Sequence, residues 1–222
     1  MTANLEVTCP TSPIQTTSED SFINAFHNEW CYPNPTITAD PPHLEAQLLN
    51  DPSRLNEIYQ LRVDVWEGSG NCEFVNRALY PNGWSDELDK TALHWVITTE
   101  QDEIIAAARL NIFNSLDDFP YYLSMKHLSF PTAVPFAFLS RLVVHPDYRQ
   151  KGLSRKLVSS RMLFCKNKNI NWFQVFINNK RIIHLFEKMN YRNIGQANVS
   201  YHQFSQPHSV NVFIRQNNNY VQ

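Results

Sequence analysis

Two cations, a glycine and a small hydroxyl side chain stand together where a helix is predicted to begin: Arg149-Gln150-Lys151-Gly152-Leu153-Ser154. The first N–H groups of a helix lack intrahelical partners and lie at the positive end of its dipole. Glycine lets a ligand approach the main chain closely, and the small Ser154 keeps the first turn uncrowded. The junction is therefore predicted to bind a pyrophosphate. Further charge around it comes from Arg149, Lys151, Arg155 and Lys156.

Hydrophobic patterning supplies the elements that position this hexad. A buried strand is predicted over residues 138–144, a turn at His145-Pro146-Asp147, and an amphipathic helix that opens near Gly152. The alternative is a basic helix terminus that only caps a strand–helix junction. Such a junction has no need of four cations near its opening turn, so a bound ligand is favoured.

Composition limits the class of protein. The chain has 222 residues and 43% hydrophobic content, which suits one domain core rather than two. A formal net charge of −2 argues against general nucleic-acid binding. No apolar run reaches the length of a membrane span, and residues 1–30 lack a secretion-signal pattern, so a cytoplasmic location is predicted. The widely spaced cysteines predict reduced thiols, with no metal site and no disulfide frame: Cys9, Cys31, Cys72 and Cys165.

Two regions are predicted along the chain. Residues 1–40 form a Pro/Ser/Thr-rich N-terminal extension, part of which docks through apolar side chains, and residues 41–222 form one α+β domain. The predicted elements of that domain are a strand over 43–49, a helix over 52–67 and a long loop over 69–90. A hairpin over 92–99 and 103–113 and an insertion over 114–134, with a short helix at 121–128, precede the hexad's strand and helix. A strand over 171–177, a helix over 179–189 and a hairpin over 199–204 and 209–215 follow.

Two segments carry a family resemblance. The hexad and its flanking strand resemble the acyl-CoA-binding motif Q/R-x-x-G-x-G/A of the GNAT N-acyltransferase superfamily, with Ser154 where the family prefers Gly or Ala. The superfamily signature N-x-x-A-x-x-L-Y-E-K-L-G-F is similar to Asn179-x-x-Ile182-x-x-Leu185-Phe186-Glu187-Lys188-Met189-Asn190-Tyr191. The resemblance covers residues 43–215 and implies a mixed central sheet of about seven strands flanked by helices, with splayed fourth and fifth strands.

The resemblance implies transfer of an acyl group, in the first place acetyl from acetyl-CoA, to a primary amine by direct attack in a ternary complex. The acceptor would be a small molecule or a peptide, and no metal is implied. The fourth strand would hold the pantetheine, amides of 150–155 would hold the pyrophosphate, and an N–H of Leu142 or Val143 would polarise the thioester carbonyl. The predicted acyl-CoA-binding residues are Leu142, Val143, Val144, Arg149, Gln150, Lys151, Gly152, Leu153, Ser154, Arg155, Asn179 and Phe186.

The groups that transfer protons stay open at this stage. The proton-donating Tyr of the family corresponds to Phe186, which cannot donate, so the candidates are Tyr148, His184 or unassisted departure of the thiolate. The strand-four positions that often carry a Glu hold residues 139–141, none of which is acidic. The remaining candidates for the base are Glu67, Asp86, Glu87, Asp89 and a water chain that ends on His94.

Two further functions remain open. Four segments also resemble acyl-homoserine-lactone and N-acyl amino acid synthases, which use long acyl chains, often from acyl carrier protein: Arg62-x-x-Val65-Trp66, Asp86-x-x-Asp89, Ala108-Arg109-Leu110 and Ser140-Arg141-Leu142. Their charged residues would either place substrate or form a structural ion-pair cluster. The third function is an acyl-CoA-binding sensor without turnover, favoured by the missing Tyr and the missing carboxylate. A homodimer is allowed under each function.

Overall fold

The computed structural model describes residues 44–69, 75–201 and 207–217, which form a seven-stranded sheet with helices on both faces. The strands are Gln47–Leu48 (β1), Leu93–Thr98 (β2), Ile104–Phe113 (β3), Phe136–Val144 (β4), Trp172–Ile177 (β5), Arg192–Val199 (β6) and His208–Gln216 (β7). The helices are Leu55–Glu67 (α1), Tyr122–Met125 (α2), Leu153–Asn167 (α3) and Lys180–Lys188 (α4), with 3₁₀ turns at Pro52–Arg54, Glu87–Thr91 and Pro146–Tyr148. The predicted α+β fold is confirmed, and the predicted extension over residues 1–40 lies outside the described residues.

The sheet opens into a V between its fourth and fifth strands. The strand order is β1-β2-β3-β4-β5-β7-β6, and β4 and β5 are the parallel pair in it. These two strands pair only as far as Leu139 and Val175. Beyond that point β4 continues to Val144 beside β3, while β5 continues to Ile177 beside β7. The splay predicted for the fourth and fifth strands is therefore present, and it leaves main-chain groups of β4 facing a gap.

A β-bulge reshapes β4 beside the gap. Arg141 and Leu142 of β4 oppose the single β3 residue Ala108, and Arg141 has a φ of 50°. A bulge adds one residue to one strand and re-aims the side chains around it. Ser140 and Arg141 both turn toward the α1 face of the sheet, where Arg109 Nε donates to Ser140 Oγ at 2.9 Å.

Helices bury both faces of the sheet. α3 and α4 cover one face, where Leu157 and Val158 pack with sheet residues such as Ala108 and Leu139. α1 covers the other face at β2, β3 and β4, and its Ile58 and Val63 belong to a second cluster with Val96, Ala107 and Val143. The inserted segment between β3 and β4 covers the rest of that face, where its Phe119 packs on Phe113 of β3 and Phe136 of β4. Burial of each such side chain stabilises the fold by about 1.5–3 kcal/mol.

Local sequence signals explain the first helix. The side chain of Asp51 accepts a hydrogen bond from the N–H of Ser53, and Pro52 opens the 3₁₀ turn that leads into α1. α1 then ends at Glu67 before Gly68, as the pattern predicts. In the described part of the chain, no helix has both the length and the apolar character that crossing a membrane would require. Cys165 is a buried free thiol, and the other three cysteines lie outside the described residues.

The bounds of the C-terminal hairpin and of the first strand differ from those predicted from the sequence. The pattern places a strand over 199–204, whereas β6 is Arg192–Val199 and ends where that prediction begins. β6 lies at the edge of the sheet, and its Arg192, Asn193 and Gln196 are exposed, so its apolar alternation is weak. Residues 202–206 lie outside the described part. The first strand is Gln47–Leu48 rather than the predicted 43–49.

Candidate active site

A cavity of about 160 Å³ occupies the V between β4 and β5. Its walls include residues 138–143 of β4, residues 175–177 of β5, and Ile182 and Phe186 of α4. The α1 face of the sheet contributes Trp66, Trp84, Tyr121 and Tyr201, and four arginines line it as well: Arg62, Arg109, Arg141 and Arg161. Parallel strands that separate in this way create a cleft near the carboxyl ends of the strands, where ligands of α/β sheets commonly bind.

The predicted anion site has an open helix terminus. Gly152 precedes α3 with a φ of 75°, and no side chain caps the helix. The first intrahelical bond runs from the N–H of Lys156 to the carbonyl of Gly152 at 3.1 Å, which leaves the N–H groups of 153–155 without an intrahelical acceptor. A Cβ placed on Gly152 would meet no atom within 4 Å. These residues therefore fit a pyrophosphate, because donors and free space coincide at the positive end of a helix.

The four cations near this terminus divide into two groups. Arg149 is buried and its Nε donates to the carbonyl of Val144 at 3.2 Å, which makes Arg149 part of the loop's framework. Lys156 Nζ donates to the carbonyl of Leu44 at 2.8 Å and pairs with Glu45 at 2.9 Å. The exposed cations beside the terminus are Lys151 and Arg155. An anion would therefore be held mainly by main-chain amides, with these two side chains at its rim.

The predicted pantetheine residues divide between the cavity and the strand end. Leu142, Val143, Asn179 and Phe186 line the cavity. Asn179 caps α4, because its side-chain oxygen accepts from the N–H groups of Arg181 and Ile182 at 3.0 and 3.2 Å. Val144 is buried and is not part of the lining. The β4 edge beyond Leu139 can accept a further extended chain, since β5 no longer pairs with it.

Five charged side chains form one cluster on the α1 side of the cavity. Arg62 donates to both carboxylate oxygens of Asp89 at 3.0 Å, and Arg109 reaches Asp89 at 3.1 Å. Asp86 accepts from both Arg109 and Arg141. The guanidinium of Arg141 also lies 3.9 Å from the centroid of the Trp84 ring. The sequence left open whether these residues form a structural ion-pair cluster or position the substrate. In the structure they pair with one another, and the three arginines of the cluster also line the cavity.

The cluster fixes the charge of its carboxylates. Burial alone would raise the pKa of Asp89, but Arg62 and Arg109 hold the pKa of this carboxyl below its usual range. Burial opposes ionisation of Asp86 in the same way, and Arg141 and Arg109 hold its pKa far below the usual value. Both carboxylates are therefore ionised and engaged at neutral pH, and the cluster carries one net positive charge. Neither carboxylate is available as a base.

The other candidates for proton transfer lie away from the cavity, and none of Glu67, Asp89, His94 or Tyr148 belongs to its described lining. His94 is buried beside Asp89, and its burial together with Arg62 lowers its pKa to about 4. Tyr148 lies in the 3₁₀ turn after β4, and Glu67 ends α1. His184 is exposed on α4, and Glu87 is exposed and pairs with Lys90 at 2.7 Å.

Sequence reasoning missed several residues that line the cavity. Tyr121 comes from the insertion and Tyr201 from the segment that follows β6, and their ring centroids are 5.6 Å apart. Burial raises the pKa of both phenols, so both keep their proton at neutral pH and can donate it in a hydrogen bond. Trp84 and Arg161 also belong to the lining. A signal for Arg161 does exist, because it interrupts an apolar row at four-residue spacing in α3: Leu153, Leu157, Cys165.

Residues 44–69, 75–201 and 207–217 contain no group of three or more His, Cys, Asp or Glu side chains arranged to hold a metal ion. The polar chemistry that these residues offer at the cavity consists of guanidinium groups, main-chain amides, hydroxyls and the side chains of Asn178 and Asn179.

Comparisons with known proteins bear on the fold and the family. The family model described as "Acetyltransferase (GNAT) family" matches residues 55–191, more than half of the chain. A GNAT-family acetyltransferase from Staphylococcus aureus Mu50 is 13% identical, with a TM-score of 0.52, over 77% of this chain and 98% of that chain. NAA60 of Arabidopsis thaliana, solved in complex with acetyl-CoA, is 13% identical, with a TM-score of 0.54, over 78% and 98% of the two chains.

A further similar structure is FeeM, an N-acyl amino acid synthase from uncultured soil microbes. It is 12% identical, with a TM-score of 0.51, over 77% of this chain and 90% of that chain. At such identities the likeness shows a shared fold and nothing finer. No curated protein sequence matches significantly.

Proposed function

Because the chain belongs to the GNAT family of acetyltransferases, we propose that it transfers a short acyl group, acetyl in the simplest case, from acyl-CoA to a primary amine. The observation that carries this proposal is the continuity of two features. The gap between β4 and β5 widens toward Val144, and the uncapped start of α3 follows Val144 after one turn. One extended ligand with a pyrophosphate at one end and a thioester at the other fits both features.

Binding would use mostly main-chain groups. The pantetheine would lie along β4 and pair with its free edge beyond Leu139, as an added strand does. The pyrophosphate would accept hydrogen bonds from the N–H groups of 153–155, with Gly152 allowing its close approach. The thioester would then lie near the bulge at Arg141 and Leu142. There a main-chain N–H of Leu142 or Val143 would polarise the carbonyl.

The transfer itself needs few side chains. The amine lone pair attacks the thioester carbonyl carbon, a C–N bond forms, and the C–S bond breaks so that the CoA thiolate leaves with the electron pair. The proton lost by the amine nitrogen passes to that thiolate or to water. A thiol with a pKa near 8.5 is a good leaving group at neutral pH, so Phe186 in place of a proton donor does not prevent the reaction.

The arginines would assist by electrostatics. Arg62, Arg109, Arg141 and Arg161 line the cavity, and no Asp or Glu is among its described lining residues. Nearby positive charge disfavours the ammonium form of an incoming amine and lowers its pKa. The acceptor would therefore bind as the free amine, which is the form that attacks. This offsets the lack of a carboxylate base among the described residues that line the cavity.

The cavity volume supports a short acyl group. A cavity of about 150 Å³ holds a molecule the size of benzene, and this one measures about 160 Å³. A long acyl chain would need a larger tunnel, since sites for larger ligands span roughly 300–1,000 Å³. The second candidate, an N-acyl amino acid synthase fed by acyl carrier protein, is nevertheless favoured by one observation. Of the residues that carry that resemblance, Arg62, Arg109 and Arg141 line the cavity, and Asp89 pairs with Arg62 and Arg109 behind it.

A free-thiol assay tests the proposal. The protein is incubated with acetyl-CoA and a panel of primary amines, and release of CoA thiol is followed against a reaction without amine. Amine-dependent thiol release is the expected result. If CoA raises the melting temperature while no amine supports thiol release with acetyl-CoA or with longer acyl-CoAs, the protein is an acyl-CoA-binding module without turnover, and the proposal fails.

A further inference from the structure

Arg161 is a buried cation at the wall of the cavity. It belongs to α3, its side chain is 1% exposed, and it lines the space between β4 and β5. A charged group in such a place is costly unless it is paired, because burial removes its hydration. The hydrogen-bond partners of this guanidinium therefore indicate which kind of ligand the cavity can bind.

Main-chain carbonyl oxygens accept hydrogen bonds from only two of the three nitrogens of the Arg161 guanidinium. Its Nε donates to the carbonyl of Leu157 at 3.1 Å, and its Nη1 donates to the carbonyl of Arg109 at 2.7 Å. Its Nη2 has no hydrogen-bond partner among the described residues. No described carboxylate pairs with it, and the titratable groups near it are Tyr191 and Cys165. Burial raises the pKa of Cys165 to about 12 and raises that of Tyr191 as well, so neither supplies a negative charge at neutral pH.

Arg161 lies level with the vertex of the V. Its Nη1 binds the carbonyl of Arg109, and Arg109 pairs with Ser140 of β4. Ser140 directly follows Leu139, the last β4 residue that pairs with β5. The guanidinium therefore sits on the α3 and α4 side of the sheet at the closed end of the gap. A thioester bound at the bulge would direct its acyl group toward this end.

The charge balance of the site favours an anion there. Three arginines of the cluster on the α1 side are offset by two carboxylates, Asp86 and Asp89. Arg161 adds a further positive charge, and burial lowers its pKa only to about 10, so it stays charged at neutral pH. The described surroundings of the cavity thus carry two positive charges in excess.

We propose that Nη2 of Arg161 binds a carboxylate at the far end of the acyl group, so that the preferred donor is a short dicarboxylic acyl-CoA. This inference rests on the proposed acyl transfer and refines its donor. An acyl group of about three or four carbons with a terminal carboxylate approaches the size of benzene, which a cavity of this volume holds. The chemistry is unchanged. The C–S bond breaks, the C–N bond to the amine forms, CoA leaves as the thiolate, and the distal carboxylate stays ionised and bound.

The preference of the enzyme between two acyl-CoA donors tests the proposal directly. The kcat/KM for succinyl-CoA and for acetyl-CoA is determined with one amine for the wild type and for Arg161→Met, Arg161→Lys and Arg192→Met. Arg192 is exposed on β6 and serves as the matched control. Wild type is expected to prefer succinyl-CoA, and Arg161→Met to lose that preference by roughly ten- to a hundredfold, the value of one charge-assisted hydrogen bond. Arg161→Lys should keep part of the preference, and Arg192→Met all of it.

Other outcomes overturn the inference while leaving the acyl transfer intact. A wild type that uses acetyl-CoA as well as succinyl-CoA contradicts it, and so does an Arg161→Met variant with an unchanged donor ratio. A variant that alters only the KM for the amine would assign Arg161 to the acceptor, which also contradicts it. Should Arg161→Met fail to fold, thermal shifts of the wild type decide, because succinyl-CoA must stabilise more than acetyl-CoA at equal concentration. If no acyl-CoA binds or reacts, the proposed function itself has failed.

Discussion

Arg62 and Asp89 form a bidentate ion pair in the interior, with both hydrogen bonds 3.0 Å long and both side chains buried. Arg62 comes from α1 and Asp89 from the 3₁₀ turn Glu87–Thr91, so the pair fastens the segment before β2 to the first helix. Asp89 also closes a capping box with Asp86, whose carboxylate holds Arg141 at the bulge of β4. The pair therefore fixes the wall of the cavity opposite α4.

Asp89→Asn is expected to destabilise the protein by about 3–5 kcal/mol, because Arg62 would keep its buried charge and lose its counter-charge. Urea unfolding monitored by tryptophan fluorescence measures the change. Glu87→Gln is the control, since Glu87 pairs with Lys90 at the surface and such pairs contribute about 0.2–1 kcal/mol. Similar losses in both variants would show that the buried pair is not a major contributor.

His94 is expected to make stability depend on pH between about 4 and 6.5. Arg62, Asp89 and Arg109 face its ring, Tyr59 packs against it, and burial lowers its folded pKa to about 4. The unfolded chain binds a proton near pH 6.5 while the folded protein does not, so stability falls as the pH drops through this window. The expected slope is roughly 1.4 kcal/mol per pH unit.

His94→Gln removes this titration. The free energy of unfolding, measured from pH 7 to pH 4.5, should then fall less steeply than in the wild type. His184→Gln is the control, because His184 is exposed on α4. If the two variants show the same slope as the wild type, the buried imidazole does not control the acid sensitivity.

The sequence correctly predicted those helices and strands in which the spacing of the apolar residues matches the face that is buried. α1, α3, α4 and strands β2 to β5 follow hydrophobic periodicity. β6 was misplaced because an edge strand with exposed Arg192 and Asn193 carries little of that pattern. The missed features depend on tertiary contacts between distant segments.

Arg149 illustrates such a contact, because its guanidinium turns inward to Val144 instead of facing the predicted ligand. The bulge at Arg141 depends on the register of two strands, which one strand's sequence does not determine. Tyr121 and Tyr201 are far apart in sequence and reach the cavity only once the insertion packs on the sheet. The strand–turn–helix junction before α3 could be predicted because its residues are consecutive.

Phe186→Tyr should preserve the fold and leave activity equal or higher. Phe186 lines the cavity, and its ring centroid lies 4.8 Å from that of Tyr191. An added hydroxyl could donate to the departing thiolate from this position. Steady-state thiol release measures the effect, with Phe164→Tyr as the control because Phe164 packs on Trp95 away from the cavity. A large loss of activity in Phe186→Tyr alone would mean that this ring shapes the acyl pocket instead.

The anion site at the start of α3 is the premise of the whole account, and calorimetric titration with CoA tests it most directly. A Cβ at Gly152 meets no protein atom within 4 Å, so Gly152→Ala should fold, lose only about 1–2 kcal/mol of stability to backbone strain at positive φ, and weaken CoA binding less than Gly152→Asp does. Gly152→Asp puts a carboxylate against the pyrophosphate and should raise the Kd for CoA at least about a hundredfold. This ratio corresponds to a loss of roughly 2.7 kcal/mol of binding free energy. Equal affinity of the Asp variant and the wild type would contradict the account.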